Sequence, residues 1–169
     1  MSNKFVLLSI LLVTAVFISG CIFDKNKETP VNKIGSDIIP AAGLPPGFTY
    51  MGTHDAKLDI GGSSVNATEG VYRNGGDDMY IQVIQNDKPE TLLAQYKLQL
   101  KQQYKSDYNP FEDISFNGHN ATKVTDYTTV KGEQKARYSV MWTNETFMIL
   151  VGSSFDPQVV SALATATGH

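Results

Sequence analysis

From Phe48 to the C-terminus, apolar and polar residues alternate in short runs, which is the pattern of half-buried β-strands. The alternation predicts seven strands, over Phe48–Leu58, Ser64–Arg73, Met79–Gln85, Phe111–Phe116, His119–Val130, Glu133–Thr143 and Thr146–Gly152. Turn-forming pairs such as Asn74-Gly75, Asn117-Gly118 and Lys131-Gly132 separate neighbouring runs. Because turns this short join antiparallel neighbours, these strands are expected to form a meandering sheet. The run Phe147–Val151 is apolar throughout, which predicts a central strand covered on both faces.

Two other segments follow the helical period of about 3.6 residues. In the first, apolar and aromatic residues fall on one helix face: Leu92, Leu93, Tyr96, Leu100 and Tyr104. Asp87 and Pro89 are typical of a helix start, and Asn109-Pro110 is typical of a helix end. The second helix is predicted to begin at Asp156-Pro157 and to run to about Thr167.

The predicted order of elements is therefore β-β-β-α-β-β-β-β-α, in one globular domain over residues 44–169. This order predicts an α+β fold in which two helices flank an antiparallel meandering sheet. From Phe48 to Gly168 the order resembles the PsbP-like fold of exported and lipid-anchored proteins. The resemblance implies a binding or assembly protein, although a fold alone does not identify a function.

The first residues have the three-part layout of a secretory signal peptide. The positively charged start Met1–Lys4 precedes the apolar run Phe5–Ile18, and the small residues Ser19 and Gly20 follow. As a helix, this run would rise only ~21 Å, which falls short of a hydrocarbon core of about 30 Å. We therefore expect a cleaved signal peptide over residues 1–20, and an uncleaved membrane helix is the alternative.

The segment Ile18-Ser19-Gly20-Cys21 resembles the lipobox of prokaryotic membrane lipoproteins. The resemblance implies that the chain is cut before Cys21 and that the Cys21 thiol carries a lipid with fatty acyl chains such as palmitate. Cys21 is the only cysteine, which excludes an internal disulfide and a zinc site of thiolates. Mixed charge and sparse apolar residues over 21–43 predict a flexible tether. The expected location is the extracytoplasmic face of the cell membrane, with the membrane itself as a partner through the lipid anchor.

Charge and composition narrow the classes of partner. The formal net charge is −3, and arginine occurs only at Arg73 and Arg137. Nucleic-acid binding is not expected, because it requires a basic face. The remaining partner class is an unidentified protein or small-molecule ligand.

Residues that commonly carry catalysis do not form a known motif. The histidines His54, His119 and His169 are too far apart in sequence for a helical metal site. His54-Asp55 with Asp59 offers at most a weak cation site, and a polar strand edge is the favoured interpretation. Asp77-Asp78 is interpreted as a hairpin tip, because it lacks the alternating ligands of a calcium loop. We predict no catalytic residue, no metal and no cofactor.

The sequence thus favours a non-enzymatic binding or envelope-assembly module, and the alternative is an exported hydrolase with dispersed catalytic residues. Two sets of residues have further interest. Three sites have the Asn-x-Thr pattern of N-glycosylation, Asn66, Asn120 and Asn144. Four tyrosines are candidates for an exposed binding surface, with packing against the sheet as the favoured alternative: Tyr72, Tyr80, Tyr108 and Tyr127.

Overall fold

A computed structural model of the chain describes residues 35–169. The predicted signal peptide over residues 1–20, Cys21 and the first part of the predicted tether lie outside these residues. The strands are β1 (Phe48–Ile60), β2 (Ser63–Asn74), β3 (Asp77–Gln85), β4 (Phe111–Phe116), β5 (His119–Val130), β6 (Glu133–Asn144) and β7 (Phe147–Ser154). The helices are α1 (Pro89–Lys101) and α2 (Pro157–Ala166). The predicted α+β order is confirmed.

The strands form one antiparallel sheet in the order β1-β2-β3-β7-β6-β5-β4. It consists of two meanders, β1–β3 and β4–β7, which meet where β3 pairs with β7 between Tyr80↔Gly152 and Gln85↔Phe147. Helix α1 carries the chain from the central strand β3 to the edge strand β4. The predicted central strand is confirmed, because residues 148–151 of β7 are all buried.

Alternating side chains of the central strands divide between two cores, one on each face of the sheet. On one face, Leu92 of α1 packs with Met141 and Met148. On the other face, Leu163 of α2 packs with residues that include Ile81, Trp142 and Ile149. The two helices therefore cover opposite faces of the sheet. In the described part of the chain, no helix is long and apolar enough to cross a membrane.

The segment before β1 belongs to the core, which corrects the C-terminal limit of the predicted tether at residue 43. A short 3-10 helix, Ser36–Ile38, ends at the first of two residues that pack on the α2 face, and Ile38 is 1% exposed and Ile39 is 5% exposed. Gly70 of β2 makes room for this segment, because a Cβ there would lie 2.3 Å from Ile39 Cγ2. The Tyr72 hydroxyl donates a hydrogen bond to the Pro40 carbonyl at 3.1 Å. No periodicity marks this segment in the sequence, because only three of its residues, Gly35, Ile38 and Ile39, are buried, and their contacts are distant along the chain.

The two helix starts differ in how well the sequence identified them. At α2 the prediction is confirmed, because Asp156 accepts a hydrogen bond from the Gln158 amide at 2.8 Å. At α1 the prediction of Asp87 as the capping residue is wrong. The position that precedes this helix is Lys88, whose amide donates to Asn86 Oδ1 at 2.8 Å. Asn86 thus forms a local turn before the helix. Among the residues that the structure describes, no side chain, including that of Asp87, caps α1 with a hydrogen bond.

Candidate functional site

A cleft of about 270 Å³ lies between the C-terminal half of α1 and the sheet. Tyrosines dominate its walls, and we refer to it as the tyrosine cleft. Its lining residues are Tyr80, Tyr96, Leu100, Tyr104, Val124, Asp126, Tyr127, Thr128, Arg137, Tyr138, Ser139 and Ser153. The lining therefore comes from five elements, β3, α1, β5, β6 and β7, and from Tyr104 just after α1. A concave surface of this kind is the usual setting of a ligand site.

The β5–β6 hairpin supplies the two charged residues of the cleft. The turn residues Lys131 and Gly132 have φ angles of 52° and 86°, the left-handed conformation that a two-residue hairpin turn requires. This turn sets the register so that Asp126 lies directly opposite Arg137. Both side chains point to the α1 face, because alternation places them there with Val124 and Met141 of that core.

The Asp126 carboxylate is held by Tyr104 and by the backbone of the next residue. Its Oδ1 atom accepts hydrogen bonds from the Tyr104 hydroxyl at 2.7 Å and from the Tyr127 amide at 2.6 Å. The Tyr104 ring lies 5.2 Å from the Tyr108 ring, which in turn lies 6.0 Å from the Tyr127 ring, between centroids. The Tyr108 hydroxyl donates to the Thr125 carbonyl at 3.2 Å. Aromatic packing therefore fixes the tyrosine that holds the carboxylate.

The Arg137 guanidinium is held by a different set of groups. Its Nη2 atom donates to the Ser153 carbonyl at 3.0 Å, and its Cζ atom lies 5.1 Å from the centroid of the Phe155 ring. An irregularity in the β6–β7 pairing leaves Ser153 outside the register, between Tyr138↔Ser154 and Ser139↔Gly152. Such bulges redirect backbone groups next to functional sites. The buried Nε atom of Arg137 has no hydrogen-bond partner among the described residues.

Three tyrosine hydroxyls of the cleft, those of Tyr80, Tyr96 and Tyr104, have raised pKa values and stay protonated at neutral pH. Burial raises the pKa of Tyr80, with a smaller contribution from Glu69 that Arg137 opposes. Burial also raises the pKa of Tyr96, and the nearby Tyr80 and Asp126 add to the effect. At Tyr104, burial and the hydrogen bond to Asp126 raise the pKa together. These hydroxyls can therefore both donate and accept hydrogen bonds to a ligand.

A second groove lies beside the β1–β2 turn, and hydrogen bonds between α1 and that turn already use its polar groups. Its residues are Asp59, Gly61, Gly62, Gln95, Leu98, Gln99 and Gln102. The Gly61 amide donates to Gln99 Oε1 at 2.9 Å, and Gln99 Nε2 donates to the Asp59 carbonyl at 3.0 Å. Gln99 thus clamps the hairpin to α1, which is a structural role.

The residues considered for cation binding are not brought together. His54 Nε2 lies 3.2 Å from Glu69 Oε1 on the neighbouring strand. Strand alternation places Asp55 and Asp59 on the face opposite His54, so these three side chains do not converge on one cation site. At the β2–β3 turn, Asp78 pairs with Arg73 at 2.7 Å, and the predicted hairpin tip is confirmed. Within residues 35–169, no group of three or more potential metal ligands is found.

The glycosylation candidates differ in exposure. Asn66 and Asn120 are exposed, whereas Asn144 is half-buried and its Nδ2 atom lies 3.3 Å from His169 Nδ1. Modification at all three sites stays a prediction. The contact also shows that the C-terminal His169, which pattern alone leaves without a role, packs beside the β6–β7 turn.

The four candidate tyrosines divide between the core and the cleft, and their role in binding stays a prediction. Tyr72 is fully buried, whereas Tyr80 and Tyr127 line the cleft and Tyr108 packs beside it. Sequence reasoning placed Tyr96 and Tyr104 on one face of the first predicted helix but did not connect them to the hairpin, and α1 ends at Lys101, before Tyr104. It also missed Asp126 and Arg137 as a pair, although counting outward from Lys131-Gly132 gives their register. That turn is the signal from which the charged part of the cleft was predictable.

Comparison of the chain with protein-family models, with curated proteins and with solved structures finds no match. The resemblances to the lipobox and to the PsbP-like fold therefore stay predictions, and the function is argued from the cleft.

Proposed function

We propose that this chain is an extracytoplasmic lipoprotein, held to the cell membrane through a lipid on Cys21, whose domain binds a small polar ligand in the tyrosine cleft. The observation that carries the binding proposal is the convergence of five tyrosines and two opposite charges on one cleft of about 270 Å³. Binding sites commonly combine apolar walls with a few fixed polar groups. The cleft has aromatic walls of this kind, but its accessible lining is more polar than apolar, which suits a polar ligand.

The chemistry of these groups favours binding over hydrolysis. A general acid or base works best with a pKa near the working pH. The pKa values of Tyr80, Tyr96 and Tyr104 are shifted upward, away from neutrality. A guanidinium such as that of Arg137 serves as a fixed donor of hydrogen bonds and not as a general acid or base. Groups of this kind orient and hold a ligand without exchanging protons with it.

Ligand binding is tested with a library of small polar metabolites and a cleft-blocking substitution. Thr128 lines the cleft, and Thr129 is exposed on the opposite strand face. We expect at least one compound to raise the melting temperature of the wild-type domain and of Thr129→Trp, but not of Thr128→Trp. Stabilisation that persists in Thr128→Trp would contradict the proposal. Conversion of the compound, detected by mass spectrometry, would support the hydrolase alternative.

The anchor is tested separately by Cys21→Ser in the full chain. The expected result is loss of the mature protein from the membrane fraction, together with loss of a lipid-sized mass increment in the intact protein. Ser19→Ala is the control, because it keeps a small residue beside the cleavage point. Membrane retention that is unchanged in Cys21→Ser would refute lipidation and would favour the uncleaved helix.

A further inference from the structure

We infer that the tyrosine cleft recognises a small zwitterion, an amino-acid-like ligand whose ammonium group faces Asp126 and whose carboxylate faces Arg137. The inference rests on the proposed binding function and names its ligand class.

The two charged residues of the cleft lie next to each other without forming an ion pair. Asp126 and Arg137 are directly paired across β5 and β6, and their side chains share the α1 face. Opposite charges in this position ordinarily attract each other across the strands. Here the described structure contains no hydrogen bond or ion pair between them, and each is bound by other groups of the cleft. A positive and a negative group are therefore held side by side with neither neutralised by the other.

The negative end has an acceptor that the protein leaves open. Both donors to Asp126, the Tyr104 hydroxyl and the Tyr127 amide, bind the same oxygen, Oδ1. The Oδ2 atom accepts no hydrogen bond from any other residue within 35–169. An ammonium group is a compact donor for such an oxygen, and nearby tyrosine faces attract a cation through their π-electrons. Tyr96 and Tyr104 supply those rings.

The positive end has donors that the protein leaves unused. Of the guanidinium nitrogens of Arg137, Nη2 is bound to the Ser153 carbonyl, whereas the buried Nε is without an acceptor in the described part of the chain. A guanidinium is planar and matches the two oxygens of a carboxylate. The Phe155 ring lies 5.1 Å from Cζ and restricts the orientation of that plane. A ligand carboxylate that reaches this end would supply the missing acceptor.

Size and the remaining groups agree with this class. A cleft of about 270 Å³ suits a molecule with the dimensions of a single amino acid. The protonated hydroxyls of Tyr80 and Tyr96 can donate to a carboxylate or accept from an ammonium group. A simple anion would be repelled by Asp126, and a simple cation would be repelled by Arg137. A zwitterion is the class in which both charges find a partner.

The test compares binding of free L-amino acids with two derivatives of each, measured by isothermal titration calorimetry. The amide lacks the carboxylate, and the N-acetyl derivative lacks the ammonium charge. We expect one or more free amino acids to bind at least about tenfold more tightly than both derivatives, because each derivative loses one charge-assisted hydrogen bond. Glucose and galactose serve as neutral polar probes of similar size.

Substitutions locate the binding. Asp126→Asn and Arg137→Gln are each expected to weaken amino-acid binding by at least about tenfold. Arg73→Gln and Asp78→Asn, at the exposed hairpin tip, are the matched controls and should leave it unchanged. Circular dichroism and the emission of Trp142 report whether each variant is folded. Arg137→Lys should bind more tightly than Arg137→Gln but less tightly than the wild type, because an ammonium group keeps the charge and lacks the planar fork of a guanidinium.

The outcomes separate the ligand class from the proposed function. If no free amino acid binds, or if both derivatives bind as tightly, the zwitterion inference is overturned. If glucose or another metabolite then stabilises the domain in a way that Thr128→Trp abolishes, the binding function stands with a different ligand. If no compound does so, both fail.

Discussion

Asp126 and Arg137 lie directly opposite each other on β5 and β6, yet the Asp126 carboxylate binds Tyr104 and the Arg137 guanidinium binds the Ser153 carbonyl. The arrangement differs from Glu112 and Lys123, another directly paired couple, whose side chains meet at 2.6 Å. Because separate partners hold Asp126 and Arg137 apart, neither charge is neutralised by the other. Glu112 and Lys123, which are in contact, neutralise each other.

This difference predicts the outcome of a double-mutant cycle on the free energy of unfolding. For Asp126→Asn with Arg137→Gln, we expect a coupling below about 0.3 kcal/mol, because in the described residues each side chain bonds to other groups and no hydrogen bond or ion pair joins the two. For Glu112→Gln with Lys123→Gln, we expect a coupling of roughly 0.2–1 kcal/mol, the range of exposed ion pairs. Urea unfolding followed by Trp142 emission measures both. A coupling above about 1 kcal/mol at Asp126 and Arg137 would contradict the structure.

The burial of the segment before β1 predicts a large effect for a small truncation. Ile38→Ala should lower the free energy of unfolding by about 2–5 kcal/mol, because it removes buried methyl groups from the α2-face core. Asp37→Ala alters an exposed neighbour and should change it by less than about 0.5 kcal/mol. Denaturant unfolding of both variants gives the comparison, and equal effects would mean that this segment is not part of the fold.

Gly70 provides a second test of the same packing. In Gly70→Ala the new methyl group would lie 2.3 Å from Ile39 Cγ2, so the segment must move. Overpacking of this kind is expected to lower the free energy of unfolding by about 1–3 kcal/mol. At Gly76 no atom lies within 4 Å of an added Cβ, and Gly76→Ala serves as the control. Thermal unfolding should show a lower midpoint for Gly70→Ala alone.

The raised tyrosine pKa values predict that the domain loses stability in alkali. Below pH ~10, the ordinary pKa of tyrosine, both the folded and the unfolded chain keep these hydroxyl protons. Above it, the unfolded chain releases them while burial keeps them on Tyr80 and Tyr96, so the unfolded state is favoured. The free energy of unfolding should therefore be level with respect to these groups from pH 7 to about 9 and should fall beyond pH ~10.

Urea titrations across this range, with tyrosinate absorbance as the ionisation probe, measure that effect. Tyr80→Phe removes one of the contributing hydroxyls and should make the alkaline decline less steep. A decline of the same slope in Tyr80→Phe would show that other groups cause it.

Local patterns were sufficient to predict the elements of this fold. Strand periodicity and the two-residue turns between strands depend on neighbouring residues, and all seven strands lie close to the predicted bounds. The cap of α2 at Asp156 is equally local, since it needs only a side chain two residues from the amide it binds. The cap predicted for α1 was wrong because Lys88 occupies the position before the helix and Asn86 accepts the Lys88 amide.

Long-range contacts decided the rest. The pairing of β3 with β7, the burial of Ile38 and the meeting of Tyr104 with Asp126 all join residues distant along the chain. The sequence by itself determined the elements, their order and the lipobox resemblance at Cys21, because each follows from adjacent residues. The tertiary structure alone decided that Arg137 and Asp126 face a shared cleft without pairing, because Tyr104, from the segment after α1, binds the carboxylate and the Ser153 carbonyl of β7 binds the guanidinium.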